Sequence, residues 1–182
     1  MLRRFGYLVV VLVIACGPNF PSITPVPAVD VTLKGPGGNI SFLSLVREHK
    51  VTLVFFGYTH CPDFCPSTLH RLSETFNELS EADRGRVSVL FISVDPARDT
   101  PRLADDYAKR FHKAFRGFSA EPAVVVSMLR SYNRLDVVPG ATRGPYLVDH
   151  TTSILWFENE MHVKNIPASF LVSDLLADLR RL

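Results

Sequence analysis

Apolar residues fall along this chain in two alternating rhythms. The runs Val51 to Phe56 and Val87 to Val94 are continuously apolar or β-branched, which predicts strands buried on both faces. Between them Leu69, Leu72, Phe76 and Leu79 recur at helical spacing, with polar residues in the gaps. Pro66 suits the first turn of that helix, where a missing N–H costs nothing. Thr100 and Pro101 form an N-cap and N1 pair for a further helix through Phe111, with Leu103 and Tyr107 on one face. Val124, Met128 and Leu129 mark another helix, ending near Tyr132 and Asn133. Ser153 to Phe157 reads as a strand, Glu158-Asn159-Glu160 as a turn, and Met161-His162-Val163 as its hairpin partner. Leu171, Leu175, Leu179 and Leu182 make the last helix amphipathic. Upstream, Val31-Thr32-Leu33, the Gly35-Pro36-Gly37-Gly38 turn and Asn39-Ile40-Ser41 predict a small N-terminal hairpin.

Strand, helix, strand, helix, helix, hairpin, helix is an α/β sandwich with a mixed central sheet flanked by helices. A β-α-β start with a β-β-α finish resembles the thioredoxin-like order. Parallel crossovers then place the C-terminal end of the Val51–Phe56 strand, together with Cys61 and Cys65, at one edge of the sheet.

Composition agrees with a single domain. The chain has 182 residues, 47% of them hydrophobic and 21% charged, which gives room for a full core and argues against disorder. Three cysteines are too few for a disulfide-stapled scaffold. A net charge of +2 lacks the basic excess of a nucleic-acid binder, so no nucleic-acid partner is expected.

The first residues carry most of that charge. MLRRFGYLVVVLVIAC places two arginines before an apolar run from Phe5 to Ala15, too short for a bilayer span of about 20 residues. The layout is that of a secretory signal peptide over residues 1–15. Val13-Ile14-Ala15-Cys16 resembles a bacterial lipobox, which implies that Cys16 is a lipid anchor and the first mature residue; the alternative is an ordinary signal peptide or an uncleaved anchor with Cys16 incidental. Removing Arg3 and Arg4 from the 20 basic side chains leaves 18, matching the 18 acidic ones, so the mature chain is formally neutral. Residues 17–28 hold four prolines and no charge, and read as a semi-stiff tether. The expected organisation is signal peptide 1–15, tether 16–28 and one domain over 29–182, exported to the bacterial cell envelope and facing the extracytoplasmic side. Export also places the remaining thiols, Cys61 and Cys65, where disulfides persist.

Those two thiols lie in FGYTHCPDFCP, at the junction of the first core strand with the first long helix. A helical turn across the three intervening residues brings both sulfurs to one face. The positive end of the backbone dipoles there favours thiolate. Such a pair can close a disulfide, act in redox exchange or bind a soft metal. An inert disulfide gains little entropy from so short a loop.

Six histidines are available as further ligands: His49, His60, His70, His112, His150 and His162. His60 precedes Cys61, so its side chain is expected to point away from the sulfurs. His70 is badly aimed, about 140° round the helix from Cys65. His150 stands just before the Ser153 strand, where thioredoxins usually carry a cis-proline facing their cysteines; here Asp149-His150-Thr151-Thr152 has none.

FGYTHCPDFCPSTL, then ISVDPARDTP, then YLVDHTTSILW closely resembles the SCO/SenC family of copper-binding proteins, which assist assembly of the copper centre in cytochrome c oxidase. The resemblance covers about Val31 to Phe157, with three motifs in order. It implies that Cys61 and Cys65 are thiolate ligands to copper, that His150 is the imidazole ligand, and that Asp95 supports the site. Its partners would be a copper donor and a copper-receiving oxidase subunit. The chain departs from the family at Glu158-Asn159-Glu160, where an Asp-Pro-x-Gly turn is common, and at Phe115 to Ser119, which lacks the usual Thr-Gly pair.

Chemistry is compatible with that implication. Two thiolates and one imidazole form a soft, three-donor set suited to Cu(I); Cu(II) would want a fourth donor such as water or Asp95. Structural zinc normally takes four protein ligands. Asp149 reads equally as a residue that orients His150 or as an exposed turn aspartate. Two functions are consistent with these features: a membrane-tethered copper metallochaperone, or a thiol-disulfide oxidoreductase in which Cys61 attacks and Cys65 resolves, reducing the oxidase subunit's cysteines. Peroxide scavenging lacks the Thr-x-x-Cys environment it needs.

Overall fold

The computed structural model describes residues 19–132 and 153–182. Residues 1–15, Cys16 and the segment carrying Asp149 and His150 lie outside them. In chain order the elements are β1 (Ser22–Pro27), β2 (Thr32–Gly35), β3 (Gly38–Ser41), α1 (Phe42–Arg47), β4 (Val51–Gly57), α2 (Phe64–Glu78) and α3 (Glu81–Arg84). They continue with β5 (Val87–Ser93), α4 (Pro101–Phe111), β6 (Arg116–Phe118), α5 (Pro122–Ser131), β7 (Ser153–Glu158), β8 (Met161–Pro167) and α6 (Val172–Leu179).

β4 and β5 are buried at every position, as their continuous apolar runs require. They pair in parallel, Val51 opposite Val87 and Gly57 opposite Ser93. A parallel pair needs a long crossover, which α2 and α3 supply. β6 extends the sheet parallel to β5, while β7 lies antiparallel to β4 and β8 antiparallel to β7. The sheet order is therefore β1-β8-β7-β4-β5-β6, with β2 and β3 as a separate hairpin.

Strand alternation divides the core in two. Leu53, Phe55, Val89, Phe91 and Trp156 face one layer, packed with Leu69, Leu72 and Phe76 of α2, Tyr107 of α4 and Leu175 of α6. Val54, Phe56, Leu90, Ile92 and Phe157 face the other, with Phe42 and Leu45 of α1 and Val125, Met128 and Leu129 of α5. Each fully buried Leu or Phe contributes about 1.5–3 kcal/mol. Thr100 caps α4 as predicted, accepting the Leu103 N–H at 3.2 Å, with Pro101 in the first turn.

The proline-rich stretch differs from expectation. Read as a tether over residues 16–28, it instead contributes β1, which pairs antiparallel with β8 on the sheet edge, Ser22 opposite Lys164 and Pro27 opposite Met161. Proline is tolerated on an edge strand, and the register is interrupted between Ser22 and Val26. Phe20 is buried in the core, and the N–H groups of Asn19 and Phe20 donate to the Asp178 carboxylate at 2.8 and 3.4 Å. Residues ahead of Val29, from Asn19 on, are thus part of the domain.

Two departures from the family pattern have local explanations. In the β7–β8 turn Asn159 and Glu160 both hold left-handed φ, 46° and 69°. Such a pair matches the twist of a two-residue hairpin, and Asn accepts it readily, whereas Glu does not. Glu160 is held there by an ion pair with Arg47 at 2.9 Å and by its carbonyl, which accepts the Ala28 N–H at 2.7 Å. In β6, Gly117 is required by close approach: a Cβ there would lie 2.0 Å from the Ala104 carbonyl oxygen of α4.

Candidate metal centre

The level ends of β4 and β5 create the site. Because Gly57 pairs with Ser93, the segments leaving both strands start side by side, and the Val94 N–H donates to the Gly57 carbonyl at 2.8 Å. One segment runs through Tyr58 to Cys61, the other through Asp95 to Asp99. Cys61 sits in a turn, its N–H donating to the Tyr58 carbonyl at 3.2 Å, and Cys65 lies in the first turn of α2.

The sulfurs meet differently from the helix-face expectation. Only Cys65 is helical; Asp63 holds the N-cap position and makes no side-chain capping bond. The Cys61 sulfur takes over that role, accepting the Cys65 N–H at 3.3 Å. The two sulfurs therefore meet at the end of the helix rather than along its side. Orphan amides at a helix start attract negative charge, and here the acceptor is a sulfur.

Their environments drive the thiols apart. The Cys65 side chain donates to Cys61, and N–H groups of Cys65, Asp63 and Phe64 add to it, outweighing partial burial and lowering the Cys61 pKa to about 5. Donation to Cys61, burial and the Cys61 charge keep Cys65 protonated far above the ordinary thiol range. Cys61 is half-buried, Cys65 is buried, and the two are not bonded to one another. Gly57 makes room for the inner sulfur, since a Cβ there would meet the Cys65 sulfur at 2.8 Å and the Phe91 ring at 2.9 Å.

Asp95 is buried with its carboxylate paired to Arg98. The carboxylate that reaches the cysteine loop is Asp99, fully buried, which sequence reasoning did not single out. It accepts the Thr59 N–H at 2.9 Å, the Thr59 hydroxyl at 2.6 Å and the Ser93 hydroxyl at 2.6 Å. Its signal was available in SVDPARDT, since an acid just before the Thr100 N-cap lies where the β5 segment turns back toward β4.

The remaining histidines have other surroundings. His70 is exposed beside Glu74 at 3.5 Å, and the His112 ring packs at a tilt against Phe76, centroids 4.8 Å apart. His162 is buried, with Nε2 3.0 Å from the Lys164 carbonyl. Among the described residues no three His, Cys, Asp or Glu side chains are grouped to hold a metal. The pair Cys61 and Cys65 is brought together; His150 and Cys16 fall outside the described residues.

Comparison with known proteins agrees with this architecture. A family model described as SCO1/SenC matches residues 47–182. The chain is 33% identical over 137 residues to Protein SCO1 homolog 1, mitochondrial, of Arabidopsis thaliana, covering 72% of this chain and 41% of that relative. It is similar to the solution structure of the apo Sco1 protein from Thermus thermophilus, with a TM-score of 0.77 and 35% identity over 92% of this chain and 98% of that one. It is also similar to Bradyrhizobium japonicum ScoI with copper bound, with a TM-score of 0.67 and 34% identity over 87% of this chain and 97% of that one. The chain spans less than half the length of three of these curated relatives, 41%, 35% and 39%.

Proposed function

The chain belongs to the SCO1/SenC family, and we propose that it binds Cu(I) through Cys61, Cys65 and His150 and delivers it to the copper centre of cytochrome c oxidase. One observation carries this reading: a half-buried Cys61 sulfur held as thiolate by the Cys65 side chain and, after it, by the amides that start α2. That donor set is soft and fits Cu(I). Cys65 gives up its proton on binding, as a metal thiolate must. The third donor in this reading is His150, the residue that the resemblance to the family's motif implies.

The copper-bound ScoI relative supports the choice of metal. Half-exposure of Cys61 supports release, because an incoming ligand can join copper before another departs. A lipid on Cys16 holds the domain at the extracytoplasmic membrane face. Among the described residues no helix is long and apolar enough to cross a membrane.

Competition for Cu(I) between the reduced protein and a chromophoric chelator tests this reading. One equivalent should bind, and His150→Ala, Cys61→Ser and Cys65→Ser should each weaken it by at least roughly tenfold. Unchanged affinity in His150→Ala sinks the three-donor site.

The thiol-disulfide reading is favoured by the same asymmetry, a nucleophilic Cys61 backed by a protonated Cys65. Cys61 attacks a client disulfide, and Cys65 then displaces the client thiolate from the mixed disulfide, leaving Cys61–Cys65 oxidised and the client reduced. Turnover on a mixed-disulfide substrate that survives His150→Ala supports this reading over copper delivery.

A further inference from the structure

Cys61 is the last residue of a four-residue turn, closed where its N–H donates to the Tyr58 carbonyl at 3.2 Å. Thr59 and His60 are the central residues of that turn. The N–H of the first central residue takes no part in the closing bond and is available to a partner elsewhere. For Thr59 that partner is Asp99 Oδ2, at 2.9 Å, while the Thr59 hydroxyl donates to Asp99 Oδ1 at 2.6 Å. Two bonds from one residue to one carboxylate fix the turn in orientation as well as in position.

Asp99 is itself held from the other side. Its Oδ2 also accepts the Ser93 hydroxyl at 2.6 Å, and Ser93 ends β5 level with Gly57 of β4. The Ser93 oxygen accepts the Asp95 N–H at 3.1 Å, and the Asp99 N–H donates to the Asp95 carbonyl at 2.9 Å. A carboxylate suits this place, since its two oxygens gather several donors and ask for none in return. Fully buried, it would be costly without them, so the network stands or falls as a unit. It joins the end of β5 to the turn that carries the sulfur capping α2.

We infer that Asp99 is a positioning residue for the metal centre, clamping the turn 58–61 to the end of β5 so that the Cys61 sulfur is in place over the start of α2 before any metal arrives; this rests on the copper reading above. Asp99 acts through Thr59 and is not itself a ligand. A turn that is already ordered does not have to be ordered by the metal, so binding keeps the free energy that ordering would consume. With the clamp released, the turn samples other positions and the Cys65 N–H loses its sulfur acceptor for part of the time. The outer sulfur must then be recaptured at each binding event.

Amide hydrogen exchange of the reduced, metal-free full chain, paired with Cu(I) competition against a chromophoric chelator, tests this role. In Thr59→Val and in Asp99→Asn the Cys61 and Cys65 amides should exchange roughly tenfold faster, with a smaller change in β4 and β5. Cu(I) affinity should fall by about tenfold in both. Thr59→Ser, which keeps the hydroxyl, should restore the exchange rates and the affinity. Ser73→Ala serves as the control: it removes another buried hydroxyl bond, to the Phe111 carbonyl at 2.7 Å between α2 and α4, and should lower the unfolding temperature while leaving Cu(I) affinity unchanged. Wild-type exchange at Cys61 and Cys65 in both clamp variants overturns the inference, as does faster exchange with unchanged affinity. An equal loss of affinity in Ser73→Ala also overturns it, because affinity would then follow stability alone. Failure of the wild-type chain to take up Cu(I) overturns the copper reading, and with it the role of Asp99 toward the metal, whatever the exchange rates show.

Discussion

The backbone N–H of Cys65 points at the sulfur of Cys61 from 3.3 Å, so the first turn of α2 is capped by a thiolate rather than by the carboxylate of Asp63. Its reactivity should show this. Alkylation of the reduced, metal-free protein at varied pH should give a Cys61 midpoint near 5, with Cys65 unreactive until well above pH 9. In Cys65→Ala, which removes the largest cause of the shift, the midpoint should climb toward the ordinary thiol value of about 8.5. An unshifted midpoint in that variant contradicts the assignment of cause.

Linkage extends the same asymmetry to stability. Cys61 has a folded pKa lowered from 9.0 to about 5, so between those values the unfolded chain binds the extra proton and stability rises with pH. Its contribution is present above pH 9 and is lost as pH falls through about 5. Cys65 is raised, so its contribution is present below the unfolded thiol value and is lost above it. Chemical denaturation of the reduced protein should give a stability difference, wild type minus Cys61→Ser, that grows from pH 5 toward pH 9. A difference that is flat or falls over that interval contradicts the assignment.

Gly57 is the narrowest point of the site. Gly57→Ala drives a methyl against the Cys65 sulfur and the Phe91 ring edge, at 2.8 and 2.9 Å. Overpacking of this kind costs about 1–3 kcal/mol. Thermal unfolding should show that loss, and Cu(I) affinity should fall with it because the inner sulfur is displaced. Wild-type affinity in a destabilised variant would separate Gly57 from the site.

Asp178 ties the N-terminal segment to the domain. Its buried carboxylate collects the Asn19 and Phe20 N–H groups together with Lys164 and Arg181, each at 3.1 Å. Asp178→Ala leaves those donors without their acceptor and should cost about 3–5 kcal/mol. Hydrogen exchange of residues 22–27 should accelerate more than that of β4 and β5. Uniform acceleration would show that β1 holds its place without this anchor.

Most of this fold was legible because its strongest signals are local. The buried runs of β4 and β5, the helical spacing of α2 and the Thr100-Pro101 start of α4 each follow from residues close in sequence. β1 was not legible: its prolines read as an extended tether, and only pairing with β8, far along the chain, makes it a strand. β6 is three residues long and depends on Gly117 meeting Ala104. Cys61 and Cys65 were legible as a pair, but the helix starts after Cys61, so the sulfurs meet at its end. Asp99 was missed because its role arises from the parallel register that sets Gly57 beside Ser93, a relationship no spacing within one segment reveals.

The central claim is a copper site of two sulfurs and one imidazole nitrogen. X-ray absorption of the Cu(I)-loaded wild-type chain tests it most directly, with His150→Ala as the comparison. The account predicts two sulfur scatterers and one nitrogen in the wild type, with the nitrogen contribution lost in the variant. A first shell of sulfur alone, or a nitrogen that survives His150→Ala, would contradict it.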